Sequence, residues 1–310
     1  MNRLLRPVLQ LFAAPHLDMR RDYPRVRRLQ RGLAASPTAR FRALDLRIGD
    51  ADGSREVPVR VFRPRSVHRE DVLLFFHGGG WVTGDISSYT PACATMAEQT
   101  GCVVASVDYR LAPEHPFPAG LEDCWRVARA ILEEPWRLGA SHLEDIVLIG
   151  DSAGGNLAAA VSLLLRDLGG VAARRQILLY PVTGSDHDPA TSPYRSVREH
   201  GTGLRLTSAE MQDYVELYLP DEALREDPMV APIRADDLAH QPKTLIITAE
   251  LDLLCDEGEA YGEALAAAGN AVRVHRVDGA LHGFITLPRF ARPVREAYGV
   301  IDAFLAEGPP

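Results

Sequence analysis

One serine in the sequence stands at a corner that suits a nucleophile. The run LIGDSAGGNLAAA, residues 148–160, passes from an apolar strand pattern through a glycine-rich turn into an alanine-rich helix pattern, with Ser152 at the turn. Gly150 and Gly154 flank it two residues away on either side, where a sharp strand-to-helix turn leaves no room for side chains. The following helix offers unpaired N–H groups and a positive dipole end. The pattern predicts an activated serine, which also needs a base.

Glycine-rich turns of this kind also occur in phosphate and dinucleotide sites. A P-loop would end in G-K-[ST], and a dinucleotide fingerprint would read G-x-G-x-x-G, whereas the sequence here is GDSAGG. The segment therefore favours hydrolase chemistry, and a plain structural turn stays open as the alternative.

A second glycine cluster follows another apolar run. HGGGW, residues 77–81, comes directly after VLLFF, and three consecutive glycines cost backbone entropy. That cost indicates that backbone N–H groups must approach something closely, as they do when they stabilise an oxyanion. An imidazole is not needed for that task, so we interpret His77 as a side chain that braces the loop. A flexible turn is the alternative.

The segments around these motifs alternate between strands and helices. Residues 43–48 and 57–64 alternate apolar and polar side chains around the turn DADGS, which predicts a hairpin. Continuous apolar runs separated by helical stretches indicate parallel strands that helices cover on both faces. These runs are residues 72–76, 102–107, 146–150, 176–180, 244–249 and 272–277. We therefore predict an α/β fold with a mostly parallel eight-stranded sheet flanked by helices.

Two segments fall outside this alternation. The opening MNRLLRPVLQLFAAPHL repeats apolar residues at helical spacing, which favours an amphipathic helix over a signal peptide. From 183 to about 240 the chain carries a helical MQDYVELYL and no strand pattern, and an insertion of that length is usually a lid or a binding element. We expect a single domain over 1–310, with a small helical cap from about 1–40 and about 183–240.

Composition argues against several classes of protein. The 310 residues include 34 basic and 42 acidic side chains, a net charge of −8, without the basic stripe typical of nucleic-acid binding. No apolar run approaches the length of a membrane span. The four cysteines show neither metal-ligand spacing nor a disulfide framework, which predicts reduced thiols and a cytoplasmic location. We expect no metal and no cofactor, and a homodimer stays open.

Several motifs in one order resemble a known enzyme family. HGGGW, DYRLAPEHPFPAGLEDC, GDSAGG, YP, AELDLLCDEG and LHGF are similar to those of the hormone-sensitive-lipase-like esterases, the bacterial family IV carboxylesterases of the α/β-hydrolase fold, over roughly residues 60–290. The resemblance implies a serine esterase that hydrolyses short- to medium-chain acyl esters through an acyl-enzyme. It places the nucleophile on Ser152, the acid on Asp252 and the base on His282.

The resemblance also implies the donors that would stabilise an oxyanion. They are the backbone N–H groups of Gly79, Gly80 and Ala153. Trp81 follows that loop directly, and we expect its side chain to wall the acyl pocket.

Two aspartates compete for the role of the triad acid. The family reads D-P-L-x-D where this chain reads DLLCD, with a leucine in place of the proline. Asp252 and His282 each follow a strand closely, which puts both at the carboxyl end of the sheet, where Ser152 emerges. Asp256 is better placed to cap the next helix. We expect Asp252 to be the acid and keep Asp256 as the alternative.

Two other functions stay open. An amidase or peptidase would use the same triad and the same oxyanion donors. A ligand receptor on this fold, such as the plant gibberellin receptor, lacks a working triad, whereas serine, aspartate and histidine candidates are all present here. The expected partner is therefore a small-molecule ester, whose alcohol part the sequence leaves undefined.

Overall fold

Strands form where apolar and β-branched residues run without interruption. The structure is a computed structural model that describes residues 18–34, 43–49, 55–67 and 69–309, so the helix predicted within residues 1–17 lies outside the described residues. The described strands are β1 Ala43–Gly49, β2 Glu56–Phe62, β3 Val72–Phe76, β4 Val103–Val107, β5 Ile146–Asp151, β6 Arg175–Leu179, β7 Lys243–Leu251 and β8 Val272–Leu281. All eight strands predicted from the sequence are confirmed, with ends shifted by a few residues.

The described strands form one sheet in the order β1-β2-β4-β3-β5-β6-β7-β8. β2 pairs antiparallel with β1 and with β4, and the other neighbours are parallel. In the pairing of β3 with β5, Phe76 lies opposite Gly150. The loop after β3 and the turn after β5 therefore leave the sheet at the same level and side by side.

Helices cover both faces of the sheet, as the alternating pattern predicts. Leu74 and Phe76 belong to one buried cluster, with the helices at 119–133, 153–168 and 255–267, and the intervening Leu73 and Phe75 belong to the other, with the helices at 90–100 and 292–306. None of the described helices is both long and apolar enough to cross a bilayer. The described helices are α1 Met19–Ala34, α2 Thr90–Thr100, α3 Ala119–Glu133, α4 Ala153–Leu168, α5 Arg195–His200, α6 Ser208–Tyr218, α7 Cys255–Ala267 and α8 Arg292–Ala306.

One strand differs from the prediction of burial on both faces. β8 lies at the end of the sheet and pairs only with β7 among the described strands. Most of its residues are partly or fully exposed, and Val274 keeps 39% of its surface. The expectation of a doubly covered strand is wrong here because an edge strand lacks a neighbour on one side, whatever its own hydrophobicity.

The segment from 183 to 240 adds no strand to the sheet. It contains α5, α6 and short 3-10 turns, in line with the predicted break in the alternation. α6 packs against α1, where the backbone N–H of Met19 donates to Asp213 Oδ2 at 3.0 Å. The two segments that fall outside the β-α alternation therefore contact each other.

Candidate active site

The turn at Ser152 is a strained corner between β5 and α4. Ser152 has φ 55° and ψ −121°, a left-handed conformation that a serine rarely adopts. A Cβ on Gly150 would lie 2.1 Å from the carbonyl oxygen of Gly154, and one on Gly154 would lie 2.0 Å from that of Phe76. Both glycines are therefore required by the backbone packing, as the G-x-S-x-G spacing predicts.

A continuous chain of hydrogen bonds joins three side chains from three loops. His282 Nε2 lies 2.9 Å from Ser152 Oγ, and His282 Nδ1 lies 2.6 Å from Asp252 Oδ2. The Asp252 side chain is fully buried, and its other oxygen accepts the backbone N–H of Leu254 at 3.1 Å. Asp252 follows β7 and His282 follows β8, so parallel strands bring the two loops to the edge where Ser152 emerges.

The alternative acid is engaged elsewhere. Asp256 lies in the first turn of α7, and its Oδ2 accepts the backbone N–H of Ser196 at the start of α5, at 2.8 Å. The expectation that Asp256 caps α7 is wrong, because the N-cap position is Leu254. Its charge still lies near the positive end of the helix dipole. The structure brings Asp252, and not Asp256, to His282.

The predicted oxyanion donors lie beside the serine. Gly79 and Gly80 have φ angles of 118° and 60°, which favour glycine, and both line the same cleft as Ser152. Neither backbone N–H donates to another residue in the part of the chain that the structure describes. Ala153 is the first residue of α4, where a helix leaves its N–H groups unpaired. These N–H groups are thus available to a bound oxygen atom.

The residue before the serine holds the glycine-rich loop at 77–81 in place, a role that the sequence did not reveal. We call this segment the oxyanion loop, after its predicted role. Asp151 Oδ1 accepts the backbone N–H of Gly78 at 2.7 Å, and Oδ2 accepts the hydroxyls of Tyr89 and Tyr180 at 3.1 and 3.3 Å. Burial raises the pKa of Asp151 to about 6. The only signal in the sequence was its position inside GDSAGG.

His77 braces the loop, as interpreted from the sequence. Its ring stacks on Tyr109 with centroids 4.3 Å apart, and its Nδ1 donates to the carbonyl oxygen of Gly78 at 2.8 Å. The Tyr109 hydroxyl donates to the backbone oxygen of His77 at 2.7 Å. Burial lowers the pKa of His77, which keeps the imidazole neutral. The side chain is fully buried and does not line the cleft beside Ser152.

Trp81 differs from its expected role as a wall of the acyl pocket. Its side chain is buried and stacks on Tyr218 of α6, with centroids 4.5 Å apart and planes 5° from parallel. The cleft beside Ser152 is lined by other residues. Trp81 therefore does not line this cleft, because its buried indole packs against Tyr218 instead.

The cleft beside Ser152 has a volume of about 200 Å³. The ring of Tyr214 on α6 covers the oxyanion loop so closely that a Cβ on Gly80 would lie 2.3 Å from it. The other residues that the sequence did not identify are Gln30, Thr83, Val182, Arg205, Leu206, Glu210, Met211 and Thr286. Among the described residues, no group of three or more His, Cys, Asp and Glu side chains could hold a metal ion.

Comparison with known proteins places the chain in a family. Residues 73–286 match the alpha/beta hydrolase fold family. The chain is 37% identical to Esterase LipI of Mycobacterium tuberculosis over 84% of this chain and 80% of that protein, and 32% identical to an ethyl acetate hydrolase of Pseudomonas putida over 90% and 86%.

A solved structure extends the likeness to the whole fold. The hyperthermophilic esterase of the archaeon Pyrobaculum calidifontis superimposes with a TM-score of 0.84 at 34% identity, covering 98% of this chain and 97% of that one. The resemblance inferred from the motifs is confirmed. The family match covers most of the chain, and the mixed sheet agrees with it. The chain therefore belongs to the hormone-sensitive-lipase-like branch of the α/β-hydrolase fold family.

Proposed function

We propose that this carboxylic ester hydrolase uses Ser152 as nucleophile, His282 as general base and Asp252 as the group that orients His282. The observation that carries the proposal is the hydrogen-bonded chain from Ser152 Oγ through both nitrogens of His282 to the buried Asp252 carboxylate. His282 Nε2 takes the hydroxyl proton as Oγ attacks the ester carbonyl carbon, and Asp252 stabilises the imidazolium that results.

The carbonyl oxygen becomes negatively charged in the tetrahedral intermediate. The backbone N–H groups of Gly79, Gly80 and Ala153 are proposed to receive it, since fixed donors stabilise charge more in the transition state than in the substrate. Collapse of the intermediate breaks the bond to the alcohol oxygen, which takes the proton from His282 and leaves an acyl-Ser152 ester. Water then attacks that ester by the same route and releases the acid.

The cleft favours small substrates. Its volume of about 200 Å³ is below the roughly 300–1,000 Å³ that is usual for drug-sized ligands. One relative, the ethyl acetate hydrolase of Pseudomonas putida, is named for a short ester. Both observations support a preference for short- to medium-chain acyl groups.

We propose that one domain carries this site and that α1 and the 183–240 segment form its cap. Support comes from Tyr214 on α6, whose ring covers Gly80, and from Gln30 on α1, which accepts the backbone N–H of Gly84 at 3.1 Å and lines the cleft. Residues from both segments would therefore contact a bound acyl chain.

A cytoplasmic location is also part of the proposal. The four cysteines are buried and unpaired, as expected of a protein that stays in a reducing compartment. The net charge of −8 supports a small-molecule substrate and argues against nucleic acid.

A substrate panel tests the proposed reaction. We expect p-nitrophenyl esters from acetate to octanoate to be hydrolysed with kcat/KM highest for the shorter chains, and the matching p-nitroanilide to be cleaved far more slowly. Efficient hydrolysis of the anilide would favour an amidase instead, and hydrolysis of neither compound would contradict the proposal.

A further inference from the structure

One cation in the cleft has no role in the chemistry above. Arg205 lines the same cleft as Ser152 and His282, and its side chain is exposed. Its guanidinium carbon, Nε and Nη2 each lie 3.5 Å from the place where a Cβ on Gly283, the residue that follows His282, would be. Its polar contact is a long one, 3.5 Å from Nη2 to Thr286 Oγ1.

Arg205 also lacks a carboxylate partner among the described residues. Many arginines on this surface form ion pairs, as Arg195 does with Glu199 at 2.7 Å, but no described Asp or Glu pairs with Arg205. The guanidinium therefore retains most of its donors for a ligand.

The two acidic side chains of the cleft, Glu210 and Asp151, already accept hydrogen bonds from other residues. Glu210 Oε2 accepts both the backbone N–H and the hydroxyl of Thr207, at 2.9 and 2.8 Å, in the capping box that begins α6. Asp151 is buried beneath the cleft and holds the backbone N–H of Gly78. Neither carboxylate is placed to neutralise Arg205.

The backbone presents Arg205 from an anchored loop. Its neighbours Leu204 and Leu206 are buried, with 8% and 9% of their surface exposed. The backbone N–H of Ser208 donates to the carbonyl oxygen of Gly201 at 2.9 Å and closes the loop between α5 and α6. The long side chain therefore extends from a fixed base, which lowers the entropy lost when it binds a ligand.

We propose that Arg205 binds a carboxylate on the alcohol portion of the substrate, so that the protein prefers acyl esters of hydroxy acids to neutral esters of the same shape. A guanidinium presents paired donors that match a carboxylate. Its position beside Gly283 places Arg205 next to His282, which in the proposed mechanism protonates the departing alcohol. The carbonyl oxygen of the acyl group instead faces Gly79 in that mechanism. This inference rests on the proposed function.

The test compares two acetate esters that differ in one charge, 4-acetoxybutanoate and 4-acetoxybutanamide. The wild-type protein should prefer the carboxylate, and the ratio of the two kcat/KM values should fall about 10- to 100-fold in Arg205→Gln, chiefly through KM. Arg205→Lys should keep part of the preference, because it keeps the charge. Arg195→Gln removes an exposed arginine that does not line the cleft and should leave the ratio unchanged.

Two outcomes would overturn the inference. One is a kcat/KM ratio of 4-acetoxybutanoate to 4-acetoxybutanamide that is the same in wild type and in Arg205→Gln. The other is a preference confined to a charge on the acyl side, measured with monoethyl succinate against ethyl succinamate. Hydrolysis of p-nitrophenyl acetate by the wild-type protein reports the esterase reaction itself, so its absence would contradict the proposed function and not the role of Arg205 alone.

Discussion

Gly78 donates its backbone N–H to Asp151 Oδ1 at 2.7 Å, across 73 residues of sequence. The bond joins the first glycine of the oxyanion loop to the residue that precedes Ser152. The proposed nucleophile and the proposed oxyanion donors, which would have to meet at one carbonyl group, are thereby fixed to each other directly. Asp151 acts as a positioning residue, because its two carboxylate oxygens accept from Gly78, Tyr89 and Tyr180.

The buried charge of Asp151 has a measurable cost. Its pKa of about 6 lies above the roughly 4 of an aspartate in an unfolded chain, so from pH 4 to 6 the folded protein holds a proton that the unfolded chain has released. Its contribution to stability therefore falls as the pH rises through that window. We expect the free energy of unfolding of Asp151→Asn to rise by about 2 kcal/mol relative to that of wild type between pH 4 and pH 7. Urea unfolding of both proteins at both pH values measures this, and parallel pH profiles would contradict it.

Ser152→Ala should abolish ester hydrolysis without unfolding the protein. Alanine fills the same corner without the attacking oxygen, so kcat should fall by a factor on the order of 10⁴ to 10⁶. Circular dichroism and thermal unfolding check the fold. Ser162→Ala is a matched control, because Ser162 lies on α4, the helix that follows Ser152, and its hydroxyl donates to Gln241 Oε1 outside the cleft. Activity near wild type in Ser152→Ala would move the nucleophile elsewhere.

Asp252→Asn and Asp256→Asn should separate the triad acid from its neighbour. Asp252 lies 2.6 Å from His282 and fixes its tautomer, so its amide should lower kcat about 10⁴-fold. Among the described residues, the Asp256 carboxylate accepts a hydrogen bond only from Ser196, at the start of α5. Asp256→Asn should therefore change kcat little. Steady-state kinetics with p-nitrophenyl butyrate measures both, and a reversed order would make Asp256 the acid.

Removal of residues 1–35 should alter acyl-chain preference. Arg27 of α1 donates to the backbone oxygens of Val82 and Ala112, and Gln30 lines the cleft, so the deletion exposes the oxyanion loop from one side. We expect weaker activity, with a larger loss on octanoate than on butyrate. Labelling of Ser152 by a small organophosphate should persist, which separates loss of the cap from loss of the site. An unchanged ratio of butyrate to octanoate hydrolysis, at full activity, would exclude α1 from substrate binding.

The pair of His187 and Glu257 should make stability depend on pH. His187 Nε2 lies 2.9 Å from Glu257 Oε2, and both side chains are buried. Burial lowers the pKa of His187, but the Glu257 carboxylate outweighs this and raises it above its ordinary value. The stabilisation is complete below about pH 6.5 and disappears as the pH rises through the folded-state pKa.

His187→Gln isolates that contribution. We expect it to cost about 3 kcal/mol at pH 6 and clearly less at pH 9, measured by chemical unfolding. His240→Gln removes an exposed histidine and serves as the control. A cost that does not change with pH would show that the pair is not charged.

The local features of the site follow from the sequence because their causes are local. A strand-to-helix turn around Ser152 excludes side chains at Gly150 and Gly154 within four residues of chain, so the spacing alone predicts the corner. The order and hydrophobicity of the strands likewise predict a parallel sheet, and strand ends then place Asp252 and His282 at one edge. Hydrophobic periodicity and steric limits within a few neighbouring residues are sufficient to predict these features.

The tertiary structure decided what depends on partners far away in sequence. Trp81 is buried because Tyr218, brought in by α6, supplies a stacking face, and no local pattern predicts that meeting. Arg205 lines the cleft because its loop closes between α5 and α6, and whether a described carboxylate pairs with it depends on how distant segments pack. The exposure of β8 follows from its place at the end of the sheet, which its apolar residues do not encode. Burial and pairing are properties of the assembled fold, so they become visible only once distant segments are packed together.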